Sequence, residues 1–530
     1  MDIVQQTLDG YQEAKSNRSG NDGLYETIGR YVWPTSQDFS SVDGNSSGQT
    51  RTEGTYDSTA KEASHRMSSG IYSFLMPSGI KWFEFTSKDK DDQIALWLSH
   101  ATSTTQSELN RSNFAREMLA TIRSMIVFGT GVLSVERVKG DLIFRSYHLG
   151  NIFIEENYMG VVDTVYRRIR YTLRQAVQAY GLENLSEASQ KNYKAGKLND
   201  KVEFVHAVFP RTDYDKTKID DKGKKFVSQH IEVAEKKLVK GGGFSSNPYK
   251  IGRYSKPPEE LYGSGVGREM LEEIKMLSAM RRTFIESAEK EAAPPMFVES
   301  DSTTGQIVTE PNSIIYLQPG AMPPTPWKTG VSSQLTGMVV SDQQTTVRRG
   351  FSSDLFQSLA DHQNMTATEV VGRQDETMNV IAPDIAVLQK DLLDPLMMRS
   401  MELVREMKKI DDLPTDKIDI ELVYHGRLAL AMSNMQTQAT EITLAKWAPY
   451  NELAPILDNI DLDQAFRKSA VNTGVPAEFL RTMEQVQAIR QKRQEAAEEE
   501  RQAAIAETAS KAFKNVSGEV SPNSLAANLG

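Results

Sequence analysis

The chain contains no cysteine. That absence excludes a disulfide framework, a thiolate metal site and a cysteine nucleophile, and it fits folding in a reducing compartment. Long apolar runs are lacking as well. The most apolar stretch, Met125 to Val135, is interrupted by Gly129 and Gly131, and it is far shorter than the ~20 residues that a membrane span needs. It reads as a buried helix end followed by a strand. Met1 to Gly10 has neither a basic start nor an apolar core, so no secretory leader is expected there. Positive charge is not in excess: 61 Lys and Arg stand against 71 Asp and Glu, a formal net charge of −10. Proteins that grip DNA by its phosphates draw affinity from counterion release at basic side chains. If the chain meets DNA, it is expected to do so weakly, as a passage rather than a clamp.

The signatures of catalysis are also missing. No phosphate-cradling loop with its Lys and Ser/Thr is present. The glycine groups at 129–131 and 263–267 do not have the order of a dinucleotide fingerprint, in which a strand leads into a glycine turn and then a helix. The seven histidines, His65, His100, His148, His206, His230, His362 and His425, are scattered without metal-ligand spacing. Hydrogen-bonded structural roles are the better reading for them, with His362 a partial exception because it lies in a polar loop. The acidic runs at Asp220-Asp221, Asp411-Asp412 and Glu498 to Glu500 read as solvated turns or a polar helix face, not as a two-metal nuclease site. No catalytic residue, cofactor site or metal site is expected.

What is present is a soluble chain of 530 residues, 25% charged and 39% hydrophobic, enough to bury a large core. Residues 1 to 40 read as helical and are followed by a polar loop. A helix begins after Tyr56-Asp57-Ser58, with Thr59 and Glu62 as an expected capping box and with Ala60, Ala63, Met67, Ile71, Phe74 and Leu75 on its apolar side. Two more helices fill Asp91 to Phe128. "VLSVERV" and "DLIFRSY", joined at Lys139-Gly140, read as a hairpin that "NIFIEE" and "VVDTVYRRI" continue. A second β region spans Val202 to Lys240, with a glycine turn at Gly241 to Gly243. After Gly265 a helix runs to Ala293, with Met270, Ile274, Leu277, Phe284 and Ala288 on one side. Short β signals and the Pro-rich segment Pro319 to Gly330 follow, and a second helix returns between about Leu335 and Leu359. A polar loop leads to a helix whose start Thr366 and Glu369 cap, and which Pro383 and Pro395 bend or break. Leu462 to Asn472 and the long polar stretch from Met483 to Phe513 read as helices. Two helices carrying a β insert, and a helix polar nearly all round, have little core of their own. A ring of copies packed side by side is the economical way to cover them.

Several segments resemble the head-to-tail connector, or portal, proteins of podovirus-type tailed phages. They are "YDSTAKEASHRMSSGIYSFLMP" with "WFEF" and Trp97-Leu98, then "FGTGVL", "VVDTVYRR" before "TLRQ", "YGSGVGREMLEEIKML", "MTATEVVGRQDE" and "LLDPLMMR". The resemblance covers roughly residues 25 to 495. It implies an α+β, mainly helical fold assembled as a cyclic ring, usually of twelve subunits. Residues 1–260 would be the wing, 261–293 and 335–359 the two stem helices, and 294–334 the β-rich clip. Residues 360–365 would be the tunnel loop and 366–410 a kinked wing helix. Residues 411–480 would form the crown, 481–513 a barrel helix and 514–530 a tail.

The resemblance places Asp361, His362, Gln363 and Asn364 toward DNA. It makes Glu299, Asp301, Glu310, Trp327 and Lys328 candidates for docking the terminase large subunit and then a tail adaptor. It further implies major capsid and scaffolding proteins as partners, internal core proteins at the barrel, and double-stranded DNA in the channel. The expected location is the virion's portal vertex, after synthesis in the host cytoplasm, with no membrane partner. Two rival readings are a DNA-packaging enzyme, which the missing motifs disfavour, and a tail or scaffold component without a channel.

Overall fold

A computed structural model describes residues 3–36, 39, 54–77, 81–88, 91–215, 217–218, 221–292, 296–297, 317–322, 325–326, 333–353, 382–412, 418–425, 442–446, 461–472, 481 and 483–517. In chain order its elements are α1 (Ile3–Val32), α2 (Thr59–Leu75), β1 (Phe83–Ser87), α3 (Asp92–Arg111), α4 (Phe114–Phe128), β2 (Thr130–Val138), β3 (Asp141–Tyr147), β4 (Ile152–Glu156), β5 (Val162–Thr172), α5 (Leu173–Tyr180), α6 (Glu187–Lys194), β6 (Lys201–Pro210), β7 (Phe226–Glu232), β8 (Lys237–Phe244) and β9 (Tyr249–Arg253). They continue with α7 (Val266–Glu269), α8 (Leu271–Ala292), β10 (Met296–Phe297), β11 (Thr325–Pro326), α9 (Ser333–Gly350), α10 (Asp394–Glu406), β12 (Ile420–Tyr424), α11 (Leu462–Asn472) and α12 (Met483–Ser517). The fold is α+β and mainly helical. The chain divides into a larger unit, Met1–Phe85, His100–Leu413 and Leu422–Leu428, and a smaller one, Thr86–Ser99, Pro414–Glu421 and Ala429–Gly530.

In the larger unit, α1 buries Val4, Leu8, Tyr11 and Ala14, residues three or four apart and so on one face. Tyr11 and Ala14 pack on Phe153, Tyr166, Val205 and Ala207 of an antiparallel five-stranded sheet, ordered β4-β5-β6-β7-β8. Four turns along the same helix, Arg18 is buried. It donates to the carbonyls of Ile152 at 2.9 Å and Gly150 at 3.1 Å, pairs with Asp22 at 2.9 Å, and lies over the Phe153 ring. A buried guanidinium is tolerable only when its donors are satisfied in this way. Arg18 therefore pins α1 to the loop that enters β4.

Four expectations need correction. The segments at 151–169 do not continue the β2–β3 hairpin. A 3₁₀ turn at Leu149–Asn151, capped by His148 accepting from the Gly150 N–H, redirects the chain, and β4 and β5 join the five-stranded sheet while β2 pairs with β3 and β9. Gly241, Gly242 and Gly243 are not a turn. They lie inside β8 opposite Gln229, Ser228 and Val227, and a β-carbon on Gly243 would meet Lys224 Cβ at 2.7 Å, so glycine lets the two chains approach. The capping box at Thr59 and Glu62 does not form. Ser58 is the N-cap, and the Asp57 carboxylate one residue earlier accepts the Thr59 N–H at 2.7 Å. The second helical stretch is not continuous toward Leu359: residues 351–352 form a turn, with Ser352 at φ 48, residue 353 is helical again, and residues 354–359 lie outside the described residues.

The break expected at Pro395 takes the form of a π turn, Gln389–Leu393, with Pro395 in the first turn of α10. Proline has no N–H for the Asp391 carbonyl, and the wider turn absorbs the missing bond. Of the chain before Pro383, residues 354–381 lie outside the described residues. Among the described residues no helix is long and apolar enough to cross a membrane.

The smaller unit contains α11, which spans Leu462–Asn472 as the sequence predicts, and α12, whose Arg490 makes a bidentate pair with Asp463 at 2.6 and 2.7 Å.

Candidate functional site

The tunnel-loop candidates Asp361, His362, Gln363 and Asn364, the cap residues Thr366 and Glu369, and the clip candidates Glu299, Asp301, Glu310, Trp327 and Lys328 all lie outside the described residues. What the structure describes is the frame that carries them: the antiparallel pair α8–α9, the strands at its far end, and the junction at its base.

The junction is built from the two glycine groups. Gly129 ends α4 in the left-handed region at φ 90, and its N–H donates to Met125 O at 2.8 Å. A β-carbon there would overlap the Gly263 carbonyl and approach Ser264 C to 2.7 Å. On Gly265 it would meet Ile126 O at 2.5 Å and Gly129 N at 2.6 Å. The segment leading into α7 and α8 thus lies directly on the backbone of the α4–β2 turn. Hydrogen bonds fix it there, from Gly263 N to Thr130 Oγ1 at 2.9 Å and from Ser264 N to Ser255 O at 2.6 Å. These glycines serve close packing, which agrees with reading them as something other than a ligand loop.

From this base α8 leaves and α9 returns. Leu271, Ile274, Leu277 and Ser278 of α8 and Val340, Val347 and Phe351 of the α9 region are buried. Of the expected apolar side, Ile274 and Leu277 are buried, while Met270, Phe284 and Ala288 are half-buried. Near the base, Gly350 packs against Met270; farther out, Gly337 faces Phe284. Polar ties that the sequence reading did not find hold the pair. Gln343 donates to Glu273 at 2.6 Å, Gln344 donates to Asp57 at 2.8 Å, and the Tyr56 N–H donates to Ser278 Oγ at 3.1 Å. Beyond the helices, β10 and β11 pair antiparallel, Met296 opposite Pro326 and Phe297 opposite Thr325.

Two features of this arm bear on what it can do. Its outer surface is apolar in places: Met338 is 70% and Val339 54% exposed, and Met276 and Ile285 are exposed too. Among the described residues nothing covers these side chains, and apolar groups left in water favour burial. Its charges also cancel. Glu272, Glu273, Glu286, Glu289, Glu291 and Asp342 are balanced by Lys275, Arg281, Arg282, Lys290, Arg348 and Arg349. A surface with balanced charge neither holds nor expels a polyanion strongly.

Four of the described histidines, His148, His206, His230 and His425, take part in side-chain hydrogen bonds, while His65 and His100 are exposed. His206 and His230 stack with ring centroids 4.0 Å apart inside the five-stranded sheet. His206 shares hydrogen bonds with the hydroxyls of Tyr249 at 2.7 Å and Ser228 at 3.0 Å, and His230 with that of Tyr180 at 3.0 Å. Burial, with help from nearby Arg167 and Lys240, pushes His230 down to about 3; burial, His230 and the same cations push His206 well below its ordinary value. Among the described residues no group of three or more His, Asp and Glu is placed to hold a metal ion.

Comparison with known proteins gives a consistent result. The profile of the family described as "Bacteriophage head to tail connecting protein" matches residues 4–480. The chain is 24% identical over 523 residues to the portal protein of Salmonella phage epsilon15, covering 95% of this chain and 94% of that one. It is also 24% identical over 525 residues to the probable portal protein of Bordetella phage BPP-1, with the same coverage.

Proposed function

The chain belongs to the bacteriophage head to tail connecting proteins and has portal function, and we propose that it acts as a ring of twelve copies at one capsid vertex, through which double-stranded DNA enters and leaves. The observation that carries this reading is the α8–α9 arm, with exposed Met276, Ile285, Met338 and Val339. Heterologous contacts of this kind, repeated around an axis, close into a ring.

In this reading residues 1–260 form the wing, and the helices within 261–293 and 335–359 form the stem. The β-bearing segment 294–334 is the clip, which docks the terminase large subunit and later the tail adaptor. Residues 360–365 form the tunnel loop, 366–410 a wing helix, 411–480 the crown and 481–513 a barrel helix. Capsid and scaffolding proteins meet the ring at the vertex, and internal core proteins meet the barrel. The arm's balanced charge supports passage of DNA rather than capture.

The role is structural, without turnover. Purified protein given ATP, DNA and Mg²⁺ should release no phosphate and cut no DNA; activity that persists through re-purification and disappears in a point mutant would contradict this.

Native mass measurement tests the ring. Twelve copies of 59.2 kDa weigh about 710 kDa, neighbouring ring sizes fall close to this, and projection images should show a central hole. A chain that stays monomeric at every concentration and salt level would overturn the proposal. The interfaces should be of the obligate kind, ~2,000 Å² or more each.

A further inference from the structure

The five-stranded sheet has two edges, and the chain treats them differently. At the β4 edge the backbone is occupied. Arg18 donates to Ile152 O at 2.9 Å, the Ile154 N–H donates to the Tyr262 hydroxyl at 3.4 Å, and the side chains of Ile152, Phe153 and Ile154 are fully buried. Cover of this kind keeps an edge strand from pairing with another chain.

The β8 edge lacks such cover. The alternation of the ladder shows which groups it presents. The Val233 N–H donates to Glu203 O at 3.1 Å and the Arg211 N–H to Lys225 O at 2.8 Å. Odd-numbered residues of β7 therefore turn their backbone toward β6, and even-numbered ones toward β8. Ser228 stands opposite Gly242 and His230 opposite Lys240. Lys240 and Gly242 thus bond to β7, while Gly241 and Gly243 direct their N–H and C=O groups outward. Among the described residues nothing bonds to these outward groups, and Gly241 is exposed.

The strand itself is firmly seated. Val239 is buried with Ile169, Tyr180 and Phe204, so the edge is already in the conformation that a partner strand needs, and little ordering is left to oppose pairing. The glycines place no side chains over it. A β-carbon on Gly241 would meet only Leu238 Cδ2, at 3.8 Å.

Charge selects the occupant. Both charged residues of β8 are lysines, Lys237 and Lys240, and Lys225 lies just beyond the Gly243 end of the hairpin. Lys225 and Lys240 are exposed and have no ion-pair partner among the described residues. A second β8 would bring lysine toward lysine, whereas carboxylates set across from them are favourable. We infer that the outer edge of β8 receives an extended, acidic segment of a second protein, which hydrogen-bonds to Gly241 and Gly243 and adds a strand to the sheet.

The test uses the full-length chain and a short fluorescent peptide in which glutamate alternates with valine and threonine. This peptide should bind and slow amide exchange in residues 237–244. Its counterpart with lysine for glutamate should bind roughly tenfold more weakly, the scale of two or three reversed cross-strand charge pairs. The acidic peptide N-methylated throughout keeps its charge but cannot donate, and should not bind. Lys240→Glu should weaken binding roughly fivefold. Gly241→Pro removes an outward N–H at an edge position where proline is tolerated, and should abolish binding without lowering the melting temperature. If that variant does not fold, the N-methylated peptide decides. Equal binding of the N-methylated peptide would reduce the contact to charge alone and overturn the inference. So would failure of the acidic peptide to bind, or Lys240→Glu without effect. Outward amides of Gly241 and Gly243 that are already protected without peptide would show that the chain or a second copy fills the edge, which also overturns it.

Discussion

Gly129 and Gly140 adopt the same unusual backbone angle, φ 90, in opposite surroundings. Gly140 sits in the β2–β3 turn beside Lys139 at φ 53, and a β-carbon there would find nothing within 4 Å. Gly129 lies beneath the segment that leads into the arm, where a β-carbon would overlap the Gly263 carbonyl. Alanine at either position meets the cost of a left-handed angle, roughly 1–2 kcal/mol. Only Gly129→Ala adds a clash with backbone, which no rotamer change can relieve, costing roughly 1–3 kcal/mol more. A loss of 1 kcal/mol lowers the melting temperature of a 150–250-residue domain by about 2–4 °C. Gly140→Ala should therefore cost a few degrees, and Gly129→Ala about 10 °C or no soluble protein. Both are compared at one concentration and one heating rate, because a chain of this size need not unfold in a single reversible step. Equal shifts in the two variants would show that close packing at the base of the arm contributes nothing, and the account of the glycine junction would be wrong.

Three other outcomes are expected. Because folding holds His230 at about 3 and His206 well below its ordinary value, the unfolded chain binds more protons below about pH 6.5. Their contribution is complete above that pH and is lost as pH falls toward 3, by up to ~1.4 kcal/mol per pH unit for each histidine; His230→Gln should flatten the acid limb of a melting-temperature profile, and an unchanged limb would exclude the pair as its source. Deleting Pro319 to Gly330 should leave proheads assembled but unpackaged or untailed, and normal infectious particles from this deletion would refute the clip assignment. Replacing residues 361–364 with Gly-Ser should preserve rings yet yield particles that fail to retain full genomes; retention equal to wild type would make the loop a plain connector.

The parts of the fold that were legible in the sequence are those set by near neighbours. The β2–β3 hairpin follows from alternation on both sides of Lys139-Gly140, and its register, Val138 opposite Asp141, follows from the turn. The start of α11 at Leu462 and the extent of α12 follow from local pattern in the same way. Distant contacts left no such trace. Strand β12 pairs with β1 across more than 300 residues, with Tyr424 stacked on Trp82 and the His425 N–H donating to Trp82 O at 2.8 Å. Nothing in "IELVY" alone indicates that partner. The glycines of β8 misled for a related reason: glycine marks a turn when the chain must bend, and equally marks a strand where another chain must come close. Only the Lys224 side chain on the far side of the hairpin separates the two cases.

The candidate site was less legible because portal function needs no reacting side chain. An enzyme's site concentrates unusual residues at fixed spacing, and such spacing can be read from sequence. A connector instead needs a rigid arm, a fixed angle at its base and a surface that matches its own copy. Ordinary residues meet those needs: Gln343 on Glu273, Gln344 on Asp57, Gly350 against Met270. Each pairing joins segments at least 70 residues apart, so none shows as a motif. The signals that do survive in one dimension are negative ones, an arm too thin to bury Met338 and Val339 and a helix whose Arg493 and Glu500 have no partner within their own turns. Apolar surface left in water is costly, whereas an exposed charge such as that of Arg493 is hydrated without a partner. Apolar surface of this kind along a chain that otherwise buries its core fits the proposed ring, in which a neighbouring copy would cover it.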